Sequence, residues 1–383
     1  MQSNDLIYLD SNSTTPLLPE VWEAMHPFAT LQFGNPSSSH AAGRWARKAL
    51  EDSREEIASL LNAFPDEVIF TSGATEANNL AITSAVSGLS GNIIASQIEH
   101  ASISEPLKTL EKQSFDLRWL GNGPSGKTNL DQLMSLVDST TRLATLMVVN
   151  HETGVKQPVE LLGSELQGKT WVHTDAVQAV GKMRVDFHRL CVNSLSLSSH
   201  KFHGPKGIGA LLVRRGTVLK PMLLGGHQQK GLRPGTEPVQ LAVGMACALR
   251  IAMTELLIRK EKITLLRNSF FNEIKTLVPN VVLNGDTDPD LPYTLNLGFP
   301  GLKADILLMR LDLAGVACST GSACSSGSLL PSPVLLAMKV GPDILKSSMR
   351  FSFGIHLDVN QVIEGARRVG IAVKALRNYD SSK

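Results

Sequence analysis

The stretch SLSLSSHKFHGPKGIGALLV, residues 194–213, places a lysine-containing polar loop between two short β-rich runs. Comparable runs precede it in the chain, at EVIFTS (67–72), NIIASQ (92–97), RLATLMVVN (142–150) and WVHTDA (171–176). Helical patterns lie between several of these runs, at residues 79–86, 104–113 and 130–137. Apolar strands that alternate with helices are typical of a mainly parallel sheet with helices on both faces. The sequence therefore predicts an α/β fold.

The regions on either side of this block have patterns of their own. Residues 41–63 form an amphipathic helical pattern, and a long helical region runs over residues 239–277. The remainder of the chain alternates further strand and helix patterns, at VVLNG, YTLNLGF, residues 304–313, VACST, MRFSFG and residues 359–376. We expect a large α/β domain at residues 16–260 and a smaller α+β domain at residues 261–383. An N-terminal segment, residues 1–15, is expected to join the smaller domain. A chain of 383 residues has room for about two domains.

Composition excludes several classes of function. The chain has 37 basic and 35 acidic residues, a balance that does not favour nucleic acid or a membrane as the main partner. Its four cysteines show no CxxC spacing, so neither a zinc site nor a disulfide scaffold is predicted. The N-terminus lacks the pattern of a signal peptide, and the apolar stretch 239–258 contains Gln240, Arg250 and Glu255, which indicates a buried helix. We therefore expect a cytoplasmic protein.

Three polar stretches follow predicted strands. TSGATEANN (71–79) begins a helix whose free N–H groups could bind a phosphate, although the same residues also suit an ordinary helix cap. Asp175 ends one strand, where a carboxylate is often only an N-cap. Lys201 comes directly after another strand, which places it better to face a cleft than Lys206, which lies in a Pro-Lys-Gly turn. Ligands of open α/β sheets bind at the carboxyl ends of the strands, where these residues would meet.

Together the three stretches satisfy the demands of pyridoxal phosphate. A lysine takes the cofactor's aldehyde, a carboxylate keeps the pyridine nitrogen protonated, and a helix N-terminus binds the phosphate. Ser198 and His200 flank the lysine and could donate to the same phosphate. His100 ends a further strand, and its imidazole could stack on the ring and exchange protons, although a lone histidine there would more often be structural.

One cysteine lies in a stretch that cannot bury it. STGSACSSGS (319–328) surrounds Cys324 with serine, glycine, threonine and alanine. A cysteine that serves as a small hydrophobe is normally found among apolar residues. We therefore expect an accessible, reactive thiol at this position.

At this level of detail the sequence resembles the cysteine desulfurases that supply sulfur for iron–sulfur clusters, within the class V aminotransferase family of fold-type I pyridoxal phosphate enzymes. GPKG after the lysine and the long cysteine segment resemble the NifS/IscS-like, or group I, branch. The matching stretches run nearly from end to end: YLDSNSTTP (8–16), FGNPSSSH (33–40), TSGATEANN (71–79), EH (99–100), NHETG (150–154), TDAVQ (174–178), SSHKFHGPKGIGALL (198–212), GGHQQKGLRPGTEPV (225–239), STGSACSSGS (319–328) and MRFSFG (349–354).

The resemblance implies a fold and a set of roles. The large domain would contain a mainly parallel, seven-stranded type of sheet, and the smaller domain would carry the catalytic cysteine. The catalytic residues would be Cys324, the Schiff-base lysine Lys201, and His100. The cofactor would contact Asp175 at its pyridine nitrogen, Gln178 at its ring oxygen, Asn150 at its ring, and Ala74, Thr75, Ser198 and His200 at its phosphate. Thr236 would reach the phosphate of the other subunit of a homodimer, while Arg350 and Asn35 would bind the substrate carboxylate. An arginine suits that task because its fork pairs with a carboxylate in two parallel hydrogen bonds.

Four positions depart from the family pattern. His151 replaces a frequent second asparagine, Gln229 replaces a glutamate, and Pro234 replaces a serine before Gly235. Cys318, six residues before Cys324, occupies a position that is usually apolar. We interpret Cys318 as a buried hydrophobe, with a sulfur relay or a regulatory disulfide as the alternative.

The resulting hypothesis is a pyridoxal phosphate enzyme that converts L-cysteine to L-alanine and leaves a persulfide on Cys324. The sulfur would pass to an acceptor protein, such as an iron–sulfur scaffold, a tRNA-thiolation protein or a cofactor-synthesis enzyme. Three alternatives remain: a selenocysteine lyase or an aminotransferase on the same fold, a non-catalytic scaffold in a sulfur-transfer complex, and a metal protein, which no cysteine spacing supports.

Overall fold

A seven-stranded sheet forms the centre of the larger part of the molecule. The structure is a computed structural model that describes residues 6–286, 288–321 and 331–381. The sheet's strands are β2 (Val68–Thr71), β3 (Asn92–Ser96), β4 (Asp116–Leu120), β5 (Thr141–Thr145), β6 (Trp171–Asp175), β7 (Ser194–Ser198) and β8 (Gly209–Val213). Their spatial order is β2-β8-β7-β6-β5-β3-β4, and β8 alone runs against the others.

The predicted sheet is confirmed, with differences at two strands. β4 was not predicted, because its residues DLRWL carry two charges at the sheet's edge and lack a continuous apolar pattern. β5 ends at Thr145 and is shorter than the predicted run at 142–150; after it, Leu146 and Val148 still donate single backbone hydrogen bonds to His173 and Asp175 of β6. The central strands β7 and β8 are buried at every position, as expected of strands covered on both faces.

Helices cover the sheet. Those of the larger part are α1 (Pro19–Thr30), α2 (Ala41–Leu60), α3 (Ala74–Val86), α4 (Ala101–Lys112), α5 (Leu133–Leu136), α6 (Val159–Leu166) and α7 (Val239–Thr254). The long helical region predicted at 239–277 is two helices, because the chain bends at Glu255 before α8 (Leu256–Leu277). Among the described residues, no single helix is long and apolar enough to cross a membrane; only α7 and α8 together, bent by 74°, have the required length and composition. Most of the apolar residues of α7 lie in the sheet's hydrophobic core.

A second hydrophobic core lies in the C-terminal part. Its strands are β9 (Val282–Leu283), β10 (Thr294–Gly298), β12 (Ser319–Thr320) and β13 (Ser348–Ser352), in the order β12-β13-β10-β9. The neighbouring helices are α9 (Ala304–Leu313), α10 (Pro333–Ala337), α11 (Pro342–Ser347) and α12 (Val359–Ser381).

The beginning of the described chain packs in this second core. β1 (Ile7–Tyr8) pairs in parallel with β11 (Val316–Ala317), and both Ile7 and Leu9 are buried there. This packing agrees with the expected joining of an N-terminal segment to the smaller domain. The domain boundaries themselves, at residues 15 and 260, stay a prediction.

A glycine allows the turn after β2 to approach the sheet. A Cβ added at Gly209 would lie 2.5 Å from the carbonyl oxygen of Leu197 and 2.8 Å from the backbone of Gly73, which precedes α3. The first turn of α3 can therefore lie against the ends of β7 and β8. Ser198 and the residues that follow it reach the same place.

We predict that Gly209→Ala destabilises the protein, because the new methyl group would meet backbone atoms that cannot yield. Overpacking of this kind costs about 1–3 kcal/mol. The measurement is the urea midpoint of unfolding, with Gly121→Ala as the control, since an added Cβ at Gly121 meets nothing within 4 Å. Equal midpoints for the two variants would contradict the prediction.

Candidate active site

A cavity of about 640 Å³ opens at the carboxyl ends of the parallel strands. Two main-chain segments form much of its wall: the loop from Asn12 to Thr14, and the turn from Ser72 to Glu76 that begins α3. Of the predicted site residues, the structure brings nine to this cavity: Ala74, Thr75, His100, Asp175, Gln178, Ser198, His200, Lys201 and Arg350.

Lys201 is bound by main-chain oxygens in the cavity. It ends a short 3₁₀ turn, Ser199–Lys201, that directly follows β7. Its Nζ donates hydrogen bonds to the carbonyl oxygens of Asn12 (2.5 Å) and Ser13 (2.8 Å). Lys206 also lines the cavity, but its side chain is largely exposed.

Asp175 is held in one orientation at the end of β6. Its Oδ1 accepts a hydrogen bond from the backbone N–H of Val177 (2.9 Å), and its Oδ2 accepts one from Nδ2 of Asn78 (2.9 Å). Asn78 is itself fixed, because its Oδ1 accepts hydrogen bonds from the hydroxyl of Ser196 and from Nε2 of His173. Asp175 therefore presents a fixed carboxylate to the cavity. Burial lowers the pKa of His173 to about 3, so its ring is neutral.

A second buried carboxyl group lies near Asp175. Glu99 is almost completely buried, and its Oε1 accepts a hydrogen bond from the backbone N–H of Met147 (2.8 Å). Burial, and then the charge of Asp175, raise the pKa of Glu99 to about 8. Glu99 is therefore largely protonated at neutral pH.

The N-terminus of α3 and the loop after β7 form an anion-binding wall. Ala74 and Thr75 lie in the first turn of α3, whose N–H groups have no partners within the helix. Ser198 and His200 face the same cavity, and Nδ1 of His200 is 3.1 Å from Oγ1 of Thr14. Burial, followed by the charges of Lys201, Lys206 and Lys182, lowers the pKa of His200 to about 4. A phosphate would meet helix N–H groups and neutral donors here.

Two imidazoles meet on another wall of the cavity. Nδ1 of His100, the N-cap of α4, accepts a hydrogen bond from the backbone N–H of Ser102 (3.1 Å), which leaves Nε2 as the ring nitrogen that can donate to a ligand. The ring of His151 packs edge-on against it, with the centroids 5.1 Å apart. Burial, and then the charges of His100, Arg350 and Lys201, lower the pKa of His151 well below its usual value. His151 therefore adds a neutral ring where the family often has an amide.

Arg350 reaches the cavity from the C-terminal part of the molecule. It lies in β13, opposite Asn296 of β10 and Ser319 of β12. Nη2 donates to Asp10 (2.8 Å) and Ser13 (2.7 Å), and Nη1 donates to the carbonyl of His151 (3.1 Å). The buried Nε has no hydrogen-bond partner among the described residues. The guanidinium thus retains a donor.

Four expected site residues are not placed in the cavity. Asn35 is exposed and accepts a hydrogen bond from the backbone N–H of Ser37, and Thr236 is exposed on a loop. Asn150 is fully buried: its Oδ1 accepts from Glu152 and Thr153, and its Nδ2 donates to Ile98. The expected ring contact of Asn150 therefore finds no support, because its amide is used to shape the turn. Cys324 lies outside the described residues.

Two of the departures from the family pattern have structural explanations. The side-chain amide of Gln229 donates to the carbonyl of Phe70 (2.8 Å) and accepts from its N–H (2.7 Å), which satisfies the backbone at the edge strand β2. A glutamate could not make the first of these bonds. Cys318 packs against the second hydrophobic core, and burial raises the pKa of its thiol. This environment agrees with its interpretation as a hydrophobe.

Two residues at the site were not predicted from the sequence. Asn12 accepts through its carbonyl from Lys201 and from Gln178, and its side chain contacts Lys182, Thr294 and the carbonyl of His151. Lys182 is buried beside Gln178. No local pattern marks either residue, since their partners are far away in the sequence. Asn12 lies in YLDSNSTTP and Asn78 in TSGATEANN, but the pattern of these stretches assigns neither residue a role.

Comparison with known proteins identifies similar chains along nearly the whole length. The family model described as aminotransferase class-V matches residues 7–364. The curated protein "Cysteine desulfurase IscS" of Dictyoglomus turgidum is 40% identical over 380 residues, which are 97% of this chain and 96% of that protein.

Solved structures give the same result for the fold. A structure titled "NIFS-LIKE PROTEIN" superposes with a TM-score of 0.89 at 32% identity, and covers 96% of this chain and 99% of its own. A structure titled "SspA in complex with cysteine" superposes with a TM-score of 0.80 at 34% identity, over 90% of this chain and 98% of its own.

The depressed pKa of His173 predicts a pH-dependent stability. The folded-state pKa lies below the unfolded value of about 6.5, so unfolding takes up a proton and stability falls as the pH drops below 6.5. At pH 5.5 this single group should cost about 1.4 kcal/mol relative to pH 7.5.

Urea unfolding of the wild type and of His173→Gln at the two pH values measures this cost. We expect the difference between the two pH values to shrink in His173→Gln by about that amount. The control is His26→Gln, at an exposed position on α1, which should keep the wild-type difference. An undiminished difference in His173→Gln would refute the assignment of a neutral buried ring.

Proposed function

The chain belongs to the aminotransferase class-V family and, within it, to the cysteine desulfurases, and on that premise we propose which residues bind the cofactor and substrate and carry out the reaction. The reaction converts L-cysteine to L-alanine and transfers the sulfur to a cysteine of the enzyme. The observation that carries the assignment is the meeting of Lys201, Asp175 and the N-terminus of α3 at one cavity.

The residues at the cavity fit pyridoxal phosphate. Lys201 would hold the aldehyde group, Asp175 would pair with the protonated pyridine nitrogen, and the first turn of α3 with Ser198 and His200 would bind the phosphate. The fixed orientation of Asp175 supports its role, because a carboxylate locked by Asn78 and Val177 needs no reorganisation when it meets the ring. When bound, the cofactor supplies the electron sink that weakens the bonds at the substrate's α-carbon.

Arg350 would bind the carboxylate of L-cysteine. In this structure its Nη2 is paired with Asp10 and Ser13, while its Nε retains an unused donor in a buried position. A substrate carboxylate can therefore add to the guanidinium as a charge-assisted pair. The complex of the similar SspA protein with cysteine supports a substrate of this kind.

Lys201 and His100 would move the protons. The Lys201 amine, which rests on the carbonyls of Asn12 and Ser13, would take the α-proton of the substrate. His100, with its Nδ1 engaged by Ser102, exchanges a proton at Nε2. The thiolate of Cys324 would attack the substrate sulfur: the S–S bond forms as the C–S bond breaks, and the C–S electron pair goes to the substrate's β-carbon. Protons then return to the β-carbon and the α-carbon, and L-alanine leaves. Such exchange requires the thiolate, so the Cys324 proton must leave first.

The partners of the enzyme belong to the same proposal. The persulfide on Cys324 would be handed to an acceptor protein such as an iron–sulfur scaffold. A homodimer is favoured by apolar residues at the surface, among them Phe33, Val218 and Leu224, which is 91% exposed. Thr236 would then reach the phosphate bound by the other subunit, and Asn35 would join Arg350 at the substrate carboxylate. A cytoplasmic location remains part of the proposal.

One assay tests the role of the cysteine. We expect the purified, cofactor-loaded protein to release sulfide and L-alanine from L-cysteine in the presence of a reductant. Cys324→Ala should lose at least 100-fold of this activity, since it removes the nucleophile (about 2.7 kcal/mol or more). The control is Cys318→Ala, which should stay close to wild type. Equal activity of Cys324→Ala and wild type would overturn the role of Cys324.

A second assay tests the substrate contact of Arg350. Arg350→Lys keeps the charge but loses the planar fork, and we expect it to raise KM for L-cysteine about tenfold or more, with a smaller change in kcat. Removal of a bond common to the ground and transition states raises KM in this way. An unchanged KM would mean that the carboxylate binds elsewhere. Bound cofactor, measured by its absorbance, should be the same in both proteins.

A further inference from the structure

Lys182 is a buried amine that contacts two residues of the cavity wall without lining the cavity itself. Only 6% of the residue is exposed, and its Nζ donates to Oε1 of Gln178 (2.6 Å) and to Oδ1 of Asn12 (3.1 Å). It also lies 5.5 Å from the centre of the Tyr293 ring. It is absent from the lining of the main cavity, so it does not itself meet a ligand there. Its effect on the reaction must pass through Gln178 and Asn12.

The contacts around Gln178 decide which end of its amide faces which neighbour. A side-chain amide has one accepting and one donating end, and only its partners identify them. The carbonyl oxygen of Asn12 can only accept, and it takes one N–H of Nε2 of Gln178 (3.0 Å). Lys182 supplies the matching donor to Oε1 on the opposite end. The two contacts impose the same orientation.

Asn12 is oriented in the same way. Its Nδ2 donates to the carbonyl oxygen of His151 (3.2 Å) and to Oγ1 of Thr294 (2.8 Å), so its Oδ1 must face a donor. That donor is again Lys182. Burial, and then the charges of Lys201 and Arg350, lower the pKa of Lys182 to about 7. Because a neutral amine still has two N–H bonds, Lys182 can donate to both amide oxygens in either form.

This orientation leaves one N–H of Gln178 available to a ligand. The Nε2 atom has two hydrogens, of which Asn12 takes one, and no partner for the other lies in the part of the chain that the structure describes. Gln178 lines the cavity. A flipped amide would present Oε1 instead, which would repel a ligand oxygen that carries negative charge.

We propose that Lys182 is a positioning residue that fixes the amide of Gln178 so that an N–H, and not the carbonyl oxygen, faces the ring oxygen of the cofactor. This inference rests on the proposed function and on the contact of Gln178 with the ring oxygen that the family resemblance implies. It assigns a task to a lysine that is buried behind the site and that binds no ligand. Lys182 acts on the cofactor only through the orientation of Gln178.

A double-mutant cycle on cofactor binding tests the proposal. The apoproteins of wild type, Lys182→Met, Gln178→Met and the double variant are titrated with pyridoxal phosphate, and dissociation constants are obtained from the cofactor's absorbance. We expect Lys182→Met to weaken binding by about three- to tenfold in the wild-type background. In the Gln178→Met background the same substitution should have no further effect, since the amide it orients is absent.

The control is Lys182→Arg, which retains a side chain that can only donate and should keep the affinity within about twofold of wild type. Thermal unfolding of each variant shows that it is folded, and if Lys182→Met does not fold, Lys182→Leu takes its place in the cycle. If Lys182 has a merely structural role, Lys182→Met should weaken cofactor binding equally in the wild-type and Gln178→Met backgrounds, and that outcome overturns the proposal. An unchanged affinity of Lys182→Met for pyridoxal phosphate overturns it as well. A wild-type protein that binds no pyridoxal phosphate would instead refute the proposed function.

Discussion

Three basic side chains, those of Lys201, Lys182 and Arg350, bind one short segment of the chain, residues 10–13. The rest of the site depends on this arrangement. Lys201 and Lys182 both donate to oxygens of Asn12, and Arg350 donates to Asp10 and Ser13. Carbonyl and amide dipoles of this segment offset part of the cost of burying these basic groups. Burial, and then these positive charges, lower the pKa values of His151 and His200. The basic side chains also prepare the cavity for a ligand with a phosphate and a carboxylate.

The same segment joins the two hydrophobic cores at the site. Leu9 is buried in the second core, whereas Asn12, three residues later, contacts Lys201 and Gln178 of the larger part. Its side chain also bonds to Thr294 of β10, and its N–H donates to Ser352 of β13. Arg350 lies in the same strand, β13. The substrate's carboxylate and the cofactor's ring would therefore be held by elements whose relative position this segment fixes.

Much of this arrangement could be predicted from the sequence, and the exceptions share one cause. Helix α9 has the predicted bounds, and Lys201 and Asp175 were identified because each follows a recognisable strand. Asn150 was expected at the ligand, yet its amide closes a turn, as only its bonds to Thr153 and Ile98 show. Lys182 and Asn12 interact across 170 positions of sequence. Periodicity and turn residues report local structure, so contacts of this range are accessible only from the fold.

The most direct test of the account is the identity of the lysine that holds the cofactor. The protein loaded with pyridoxal phosphate is reduced with borohydride, which makes the attachment permanent, and the labelled peptide is then sequenced by mass spectrometry. The account predicts that the label is on Lys201, whose amine lies between the carbonyls of Asn12 and Ser13 at the cavity. A label on Lys206 or Lys182, or no labelled peptide at all, would contradict it.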